Sequence, residues 1–324
     1  MDDILKGKTN EQVYDSVFWM SMRRLSEYIV PLINEVFSEK FTQNATVRFE
    51  AGKQIIESTG SMLERREADA IVYLSEQFEK MVEKAYHFEC ETRGRKSISI
   101  RIAEYASGYA FQHVVPTRIG ADIKIPHSAV IFLRSSSEHL SKLVMGIDYP
   151  GGRVEYSIPV INIRDYTLNE LIDKKLLLLI PFYAFIYSDR ELKEMDADKS
   201  KLQLLESTLN DIGERLNVLV DTGYIKPWQR GNIVRYTTIV LRKLLGKYTN
   251  VVKGVEEIMG GYIFKTDIDE AMDAGELRGY YKLITSGKLS VEDAAEQTGM
   301  TIDKFLATMK ANGFTIPDEN TVLV

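Results

Sequence analysis

An α/β fold, with a mixed sheet flanked by helices and then a helical segment and a terminal helix pair, is predicted by three observations. Short runs with two-residue alternation, Asp69-Ala70-Ile71-Val72-Tyr73-Leu74 and His87-Phe88-Glu89-Cys90-Glu91, read as strands, and a stretch of helical spacing follows them. After residue 165 apolar side chains recur at three-and-four spacing almost without interruption. The 324 residues, 44% hydrophobic and 27% charged, suffice for one sizeable core plus smaller units, and no segment is of low complexity. These patterns divide the chain into a core at 1–165, a helical subdomain at 166–265 and a tail at 266–324.

The elements follow in order. Val13, Val17, Phe18, Leu25, Tyr28, Ile29, Leu32, Ile33 and Val36 make one stripe, which predicts a long opening helix over 11–37. Residues 46–50 and 54–58 read as a hairpin around Ala51-Gly52-Lys53, and strands are expected at 68–74 and 85–92. A helix over 98–113 would carry Arg101, Tyr105, Gly108 and Gln112 along one stripe. Residues 128–134 read as a buried strand, Pro150-Gly151-Gly152 as a turn and 156–163 as another strand. Strand, crossover helix, strand is the order a mixed sheet covered by helices requires. Helices are expected at 168–171, 175–195, 199–220 and 227–247, the last with Pro227 in its first turn. Near the carboxyl end, Ser290 and Thr301 can cap two short helices around a turn at Gly299.

The chemistry-bearing residues lie on the first strands. Alternation puts His87, Glu89 and Glu91 on one face of their strand and Phe88 and Cys90 on the other. If the two strands pair, Asp69 sits beside Glu89. Carboxylates grouped this way suit Mg²⁺ or Mn²⁺, which take oxygen ligands and usually need only one or two from protein. Acidic residues on a strand are also commonly a solvated face or partners for a nearby Arg, so both readings stand at this level.

These positions resemble the PD-(D/E)XK nuclease superfamily, in particular its branch of recombination-promoting nucleases and nuclease-type transposases. The resemblance rests on Asp69, on Glu89 followed by Glu91, on Arg101 and Tyr105 in the next helix, and on Tyr14-Asp15-Ser16-Val17-Phe18, similar to the family's opening Asp-x-x-Phe. It covers about the first half of the chain and implies a restriction-endonuclease-like sheet and a divalent-metal-dependent DNA endonuclease linked to recombination or mobile elements. On that reading Asp69, Glu89 and Glu91 would hold Mg²⁺ or Mn²⁺, Arg101 would contact phosphate or brace the acidic cluster, and Tyr105 would pack beneath it. The first helix of this superfamily often supplies a further acid. Asp15, Glu27 and Glu35 are available, with Asp15 favoured by the motif. Glu91 stands where the family places Gln or Lys. It could be a third ligand, Arg93 or Lys96 could supply the missing positive charge, or the chain could be a catalytically decayed nuclease fold acting as a non-enzymatic DNA-binding or assembly module.

Composition bounds the remainder. One cysteine, Cys90, leaves no intramolecular disulfide and no thiolate-rich zinc site. The amino terminus lacks the apolar run of a signal peptide, and the longest uncharged apolar run, 176–188, is too short to span a bilayer. The expectation is a cytoplasmic protein without a membrane partner, and a homo-oligomer is compatible with it. A net charge of -6 argues against indiscriminate nucleic-acid binding. Residues 226–253, however, contain seven Lys and Arg and no acid, so Arg230, Arg235, Arg242 and Lys243 could contact DNA or could pack on the acidic helices before them. If the terminal helix pair reads DNA, Lys304 and Lys310 lie on or near its second helix. Neither a Walker nor a dinucleotide glycine loop occurs, nor a G-x-S-x-G elbow.

Overall fold

A computed structural model describes residues 9–49, 70–77, 81–92, 97–134, 140–248, 250–255, 258, 277–286, 289–297, 301–311, 314 and 316. Helices bounded within the described residues include α1 (Asn10–Arg24), α2 (Ile29–Phe37), α3 (Ser97–Gln112), α4 (Leu168–Asp173), α5 (Asp189–Ala197), α6 (Lys199–Asp221), α7 (Pro227–Leu245), α8 (Val291–Gln297) and α9 (Ile302–Ala311). The strands are β1 (Thr46–Phe49), β2 (Ala70–Gln77), β3 (Met81–Glu91), β4 (Val115–Pro116), β5 (Ala121–Asp122), β6 (His127–Phe132), β7 (Lys142–Tyr149) and β8 (Gly152–Asn162).

Six strands form a mixed sheet in the order β1-β2-β3-β6-β8-β7. The β1–β2 and β2–β3 pairs are antiparallel, β3–β6 and β6–β8 are parallel, and β7 returns antiparallel on β8. The parallel step from β3 to β6 is made through α3, as a strand-helix-strand crossover requires. From β6 to β8 the chain instead runs through β7, a strand with no counterpart in the sequence reading. Tyr149 and Gly152 close its hairpin across Pro150-Gly151, with Gly152 at φ 149°, a left-handed value that glycine accommodates.

At its centre the sheet is buried on both faces. Val72, Leu74, Tyr86, Phe88, Cys90, Ala129, Ile131 and Ile161 point into the main core, where α1 and α2 supply Val13, Phe18, Ile33 and the edge of Phe37. Phe88 meets Phe18 and Phe37 at ring separations of 6.4 and 5.8 Å. The opposite face, with Ile71, Tyr73, Val130, Phe132, Ile158 and Val160, lies under Ile98, Ile102 and Tyr109 of α3.

Two long helices of the sequence reading are broken. The first divides after Arg24, where Leu25 leaves helical geometry and residues 26–28 make a 3-10 turn. Pro31, in the first turn of α2, has no N–H to continue the ladder backwards. The second, expected over 175–195, becomes a 3-10 helix over Leu177–Ile186 followed by α5. Pro181 removes an α-helical donor inside the apolar run, and Ser188 starts α5 through a capping box with Glu191. The run is apolar on every side because it is buried on every side, packed by α4, α7 and α1. Among the described residues no helix is long and apolar enough to cross a membrane.

One cluster of buried side chains extends from Val13 to Val255, so the sheet and the helices after residue 165 share a core across the expected boundary. Helix α7 is the centre of that union. Its Gln229 accepts from the Tyr28 hydroxyl (3.0 Å) and donates to Glu27 (2.8 Å), while Arg230 donates to Asn217 of α6 (2.7 Å). The carboxyl end has its own small core of Leu277, Ala294, Ala295, Phe305 and Met309. The Ser290 hydroxyl accepts from the Asp293 amide (3.0 Å), the cap expected there. Gly299, the expected turn, lies outside the described residues, as does the second arm of the hairpin expected at 54–58.

Candidate functional site

The centre of β3 carries His87, Glu89 and Glu91 on the face that α3 covers. Period-two alternation fixes this, since Phe88 and Cys90 are taken by the main core. The parallel register with β6 sets Ser128 beside His87, Val130 beside Glu89 and Phe132 beside Glu91. Glu89 is 0% exposed and Glu91 8%. Two buried carboxylates in register with Val130 and Phe132 require a compensating positive charge.

Arg101 supplies it. One guanidinium nitrogen lies 2.5 Å from Glu89 Oε2, and the other donates to Glu91 Oε1. The guanidinium thus spans the pair, with its side chain still 27% exposed. It reaches them because Ile98, Ile102, Tyr105 and Tyr109 dock α3 on the sheet and Arg101 lies within that stripe. Of the four residues that sequence spacing put on one stripe, Arg101 and Tyr105 face the sheet, while Gln112 is exposed. Eleven residues bring an α-helix back to within about 20° of the same face, so Gln112 is exposed as the last residue of α3 and not because the stripe drifts.

His87 completes the interior end of the group. Its Nε2 is 3.4 Å from Glu89 Oε1, its Nδ1 3.4 Å from the Ser128 hydroxyl, and its ring meets Tyr105 edge-on at 5.5 Å. Tyr105 is therefore a wall against which His87 is set. Ser128 went unread in the sequence, because only the β3–β6 register brings it to this face.

The other predicted positions are dispersed. Asp69 lies outside the described residues, as do Arg93 and Lys96. Asp15 is half-buried on α1, the helix that covers the Phe88 face of the sheet. Arg230 is buried against Asn217 and Arg235 is half-buried. Arg242 is exposed in the last turn of α7, and Lys243 is half-buried, with its carbonyl accepting from Asn10 (3.3 Å). Lys310 is exposed on α9, and the side chain of Lys304 is outside the described set.

Among the described residues no group of three or more His, Cys, Asp or Glu side chains is arranged to hold a metal ion. The pair Glu89 and Glu91 nevertheless offers hard oxygen donors, on one face, already gathered around a cationic group. Comparison with protein-family models, with curated proteins and with solved structures finds no match to this chain.

Proposed function

We propose that the chain is a divalent-metal-dependent DNA endonuclease with a restriction-endonuclease-like core, centred on Glu89 and Glu91. The observation that carries the reading is the pair of buried carboxylates on one strand, bridged by Arg101 from the crossover helix. The sequence motif supplies Asp69 as the third acidic member. Glu89 and Glu91 would hold the cation, and Arg101, once released from one carboxylate, would turn its partly exposed guanidinium to a phosphate oxygen. Tyr105 and His87 keep the floor of the site dry and fix Glu89 in place. When bound, Mg²⁺ or Mn²⁺ polarises the phosphodiester and acidifies water. Exposed basic residues such as Arg242 and Lys310 are the candidates for holding DNA, whereas the buried Arg230 braces α7 against α6.

The test is nicking of supercoiled plasmid in Mg²⁺ or Mn²⁺. Because Glu89 is wholly buried against Arg101, an alanine there leaves a cavity and takes away the guanidinium's acceptor, whereas Glu89→Gln keeps the volume and an oxygen acceptor, so it and the companion Asp69→Asn are the informative variants. Each is expected to reduce cleavage by at least about a hundredfold while retaining the helical circular-dichroism spectrum. Undiminished cleavage by both variants overturns the assignment.

One observation favours a second reading, a nuclease fold that no longer cuts and serves in DNA binding or assembly. Glu91 replaces the Lys or Gln of the family, and Arg101 already neutralises both carboxylates. Calorimetry of Mn²⁺ with the wild type and with Asp69→Ala separates the two, since heat that disappears in the variant supports the enzyme and its absence in both supports the decayed form.

A further inference from the structure

The hairpin of β7 and β8 leaves the sheet as a two-stranded ribbon. β8 meets β6 only at Val160, Ile161 and Asn162, whereas β7 and β8 stay in register from Lys142↔Pro159 to Tyr149↔Gly152. Directly opposed residues share a face, so the ribbon has two distinct rows. Leu143–Ile158, Met145–Tyr156 and Ile147–Val154 make one that is apolar throughout. Val144–Ser157, Gly146–Glu155 and Asp148–Arg153 make the other. There Arg153 lies across Gly146, where an added Cβ would collide with its guanidinium, and forms ion pairs with Asp148 and Glu155 at 2.9 Å each.

Helix α3 covers only the inner part of the apolar row, where Leu143, Met145 and Tyr156 pack on Ile98 and Ile102. Farther out, Ile147, Tyr149 and Val154 are 40%, 52% and 51% exposed. Among the described residues no strand lies beyond β7. This edge keeps an unbroken register over eight residues and has neither proline nor bulge, two of the devices that keep an edge from pairing with another chain. Its charged side chains are Lys142 near one end and Asp148 near the other.

We propose that β7 pairs antiparallel with β7 of a second copy, about a two-fold axis through Met145. In that register Leu143 faces Ile147 of the second copy, and Lys142 faces Asp148 of the second copy, each pair occurring twice. Apolar row then continues apolar row across the junction, and the exposed outer half of each ribbon lies beside the α3-covered inner half of the other. Charge selects the register. Centred on Val144, Lys142 would face Gly146, and centred on Gly146, Asp148 would face Val144, so only the Met145 axis satisfies both ends. The closed two-fold pairing also removes the open edge.

Light scattering coupled to gel filtration on the full chain reads the outcome. The wild type is expected at twice 37.0 kDa. Lys142→Asp and Asp148→Lys, both at exposed positions, should each weaken the dimer by at least about tenfold, because two like-charge pairs replace two attractive ones. An equimolar mixture of the two variants should dimerise again. In the mixed pair the introduced aspartate of one copy meets the introduced lysine of the other, and the unchanged Lys142 meets the unchanged Asp148. Thermal unfolding by circular dichroism checks that each variant is folded, and Lys142→Asp, which leaves the Arg153 ion pairs in place, decides if Asp148→Lys is not. A 37.0 kDa wild type, folded single variants that dimerise as tightly as the wild type, or folded variants whose mixture stays monomeric would overturn the pairing.

Discussion

Glu89 sits where a carboxylate has no solvent to stabilise it, and Arg101 is the side chain that makes its burial tolerable. Removing the arginine would take from Glu89 and Glu91 the cation that spans them. Arg101→Met is therefore expected to cost about 3 kcal/mol in urea unfolding, at the lower end of the range for broken buried pairs because the guanidinium is partly solvated. Adding Glu89→Gln and Glu91→Gln to Arg101→Met should restore most of that stability, because the two side chains that faced the guanidinium are then neutral. Failure of the combined variant to recover would mean that Arg101 acts through packing instead. The placement of Glu89 and Glu91 on one face was legible from alternation alone. Their burial was not, because acids in alternation read equally well as a wet sheet face, and only α3 closing over them decides otherwise.

At the scale of elements, local chemistry sets the helix ends and tertiary packing sets the helix surfaces. Ser188 begins α5 by accepting from the Glu191 amide while Glu191 accepts from the Ser188 amide (2.7 Å). Ser188→Ala should lower stability by about 1 kcal/mol in chemical denaturation, and a change near zero would show the break after Tyr187 to be enforced by packing alone. Helix α7 makes the opposite point. Its run of bases without an acid reads as a surface, yet most of its length is buried. The Thr237 and Thr238 hydroxyls donate to carbonyls four residues back (2.8 and 2.9 Å), so polar positions enter the core already satisfied. Spacing cannot distinguish such a helix from an amphipathic one.

For the whole molecule, the main core and the carboxyl-terminal core are separate clusters of buried side chains. Phe305, fully buried with Tyr280 edge-on at 6.2 Å, is the largest buried side chain of the smaller one. Phe305→Ala is expected to lose about 3–5 kcal/mol locally, enough to melt so small a core, and to leave the principal thermal transition where it is. Circular dichroism should record a modest drop in helix content at low temperature, and a shift of the principal transition by several degrees would show the two cores to be coupled.

The sequence by itself determined the mixed α/β class, the β3 face that carries His87, Glu89 and Glu91, the α3 stripe bearing Arg101 and Tyr105, and the Ser290 cap, because strand period, helix period and capping are properties of a few consecutive residues. The tertiary structure alone decided that Arg101 closes on both carboxylates, that Ser128 joins His87, that β7 exists as an edge strand, and that Arg230 faces Asn217. Those outcomes depend on which distant segments meet and on what water is left between them, and neither quantity is written in a local pattern.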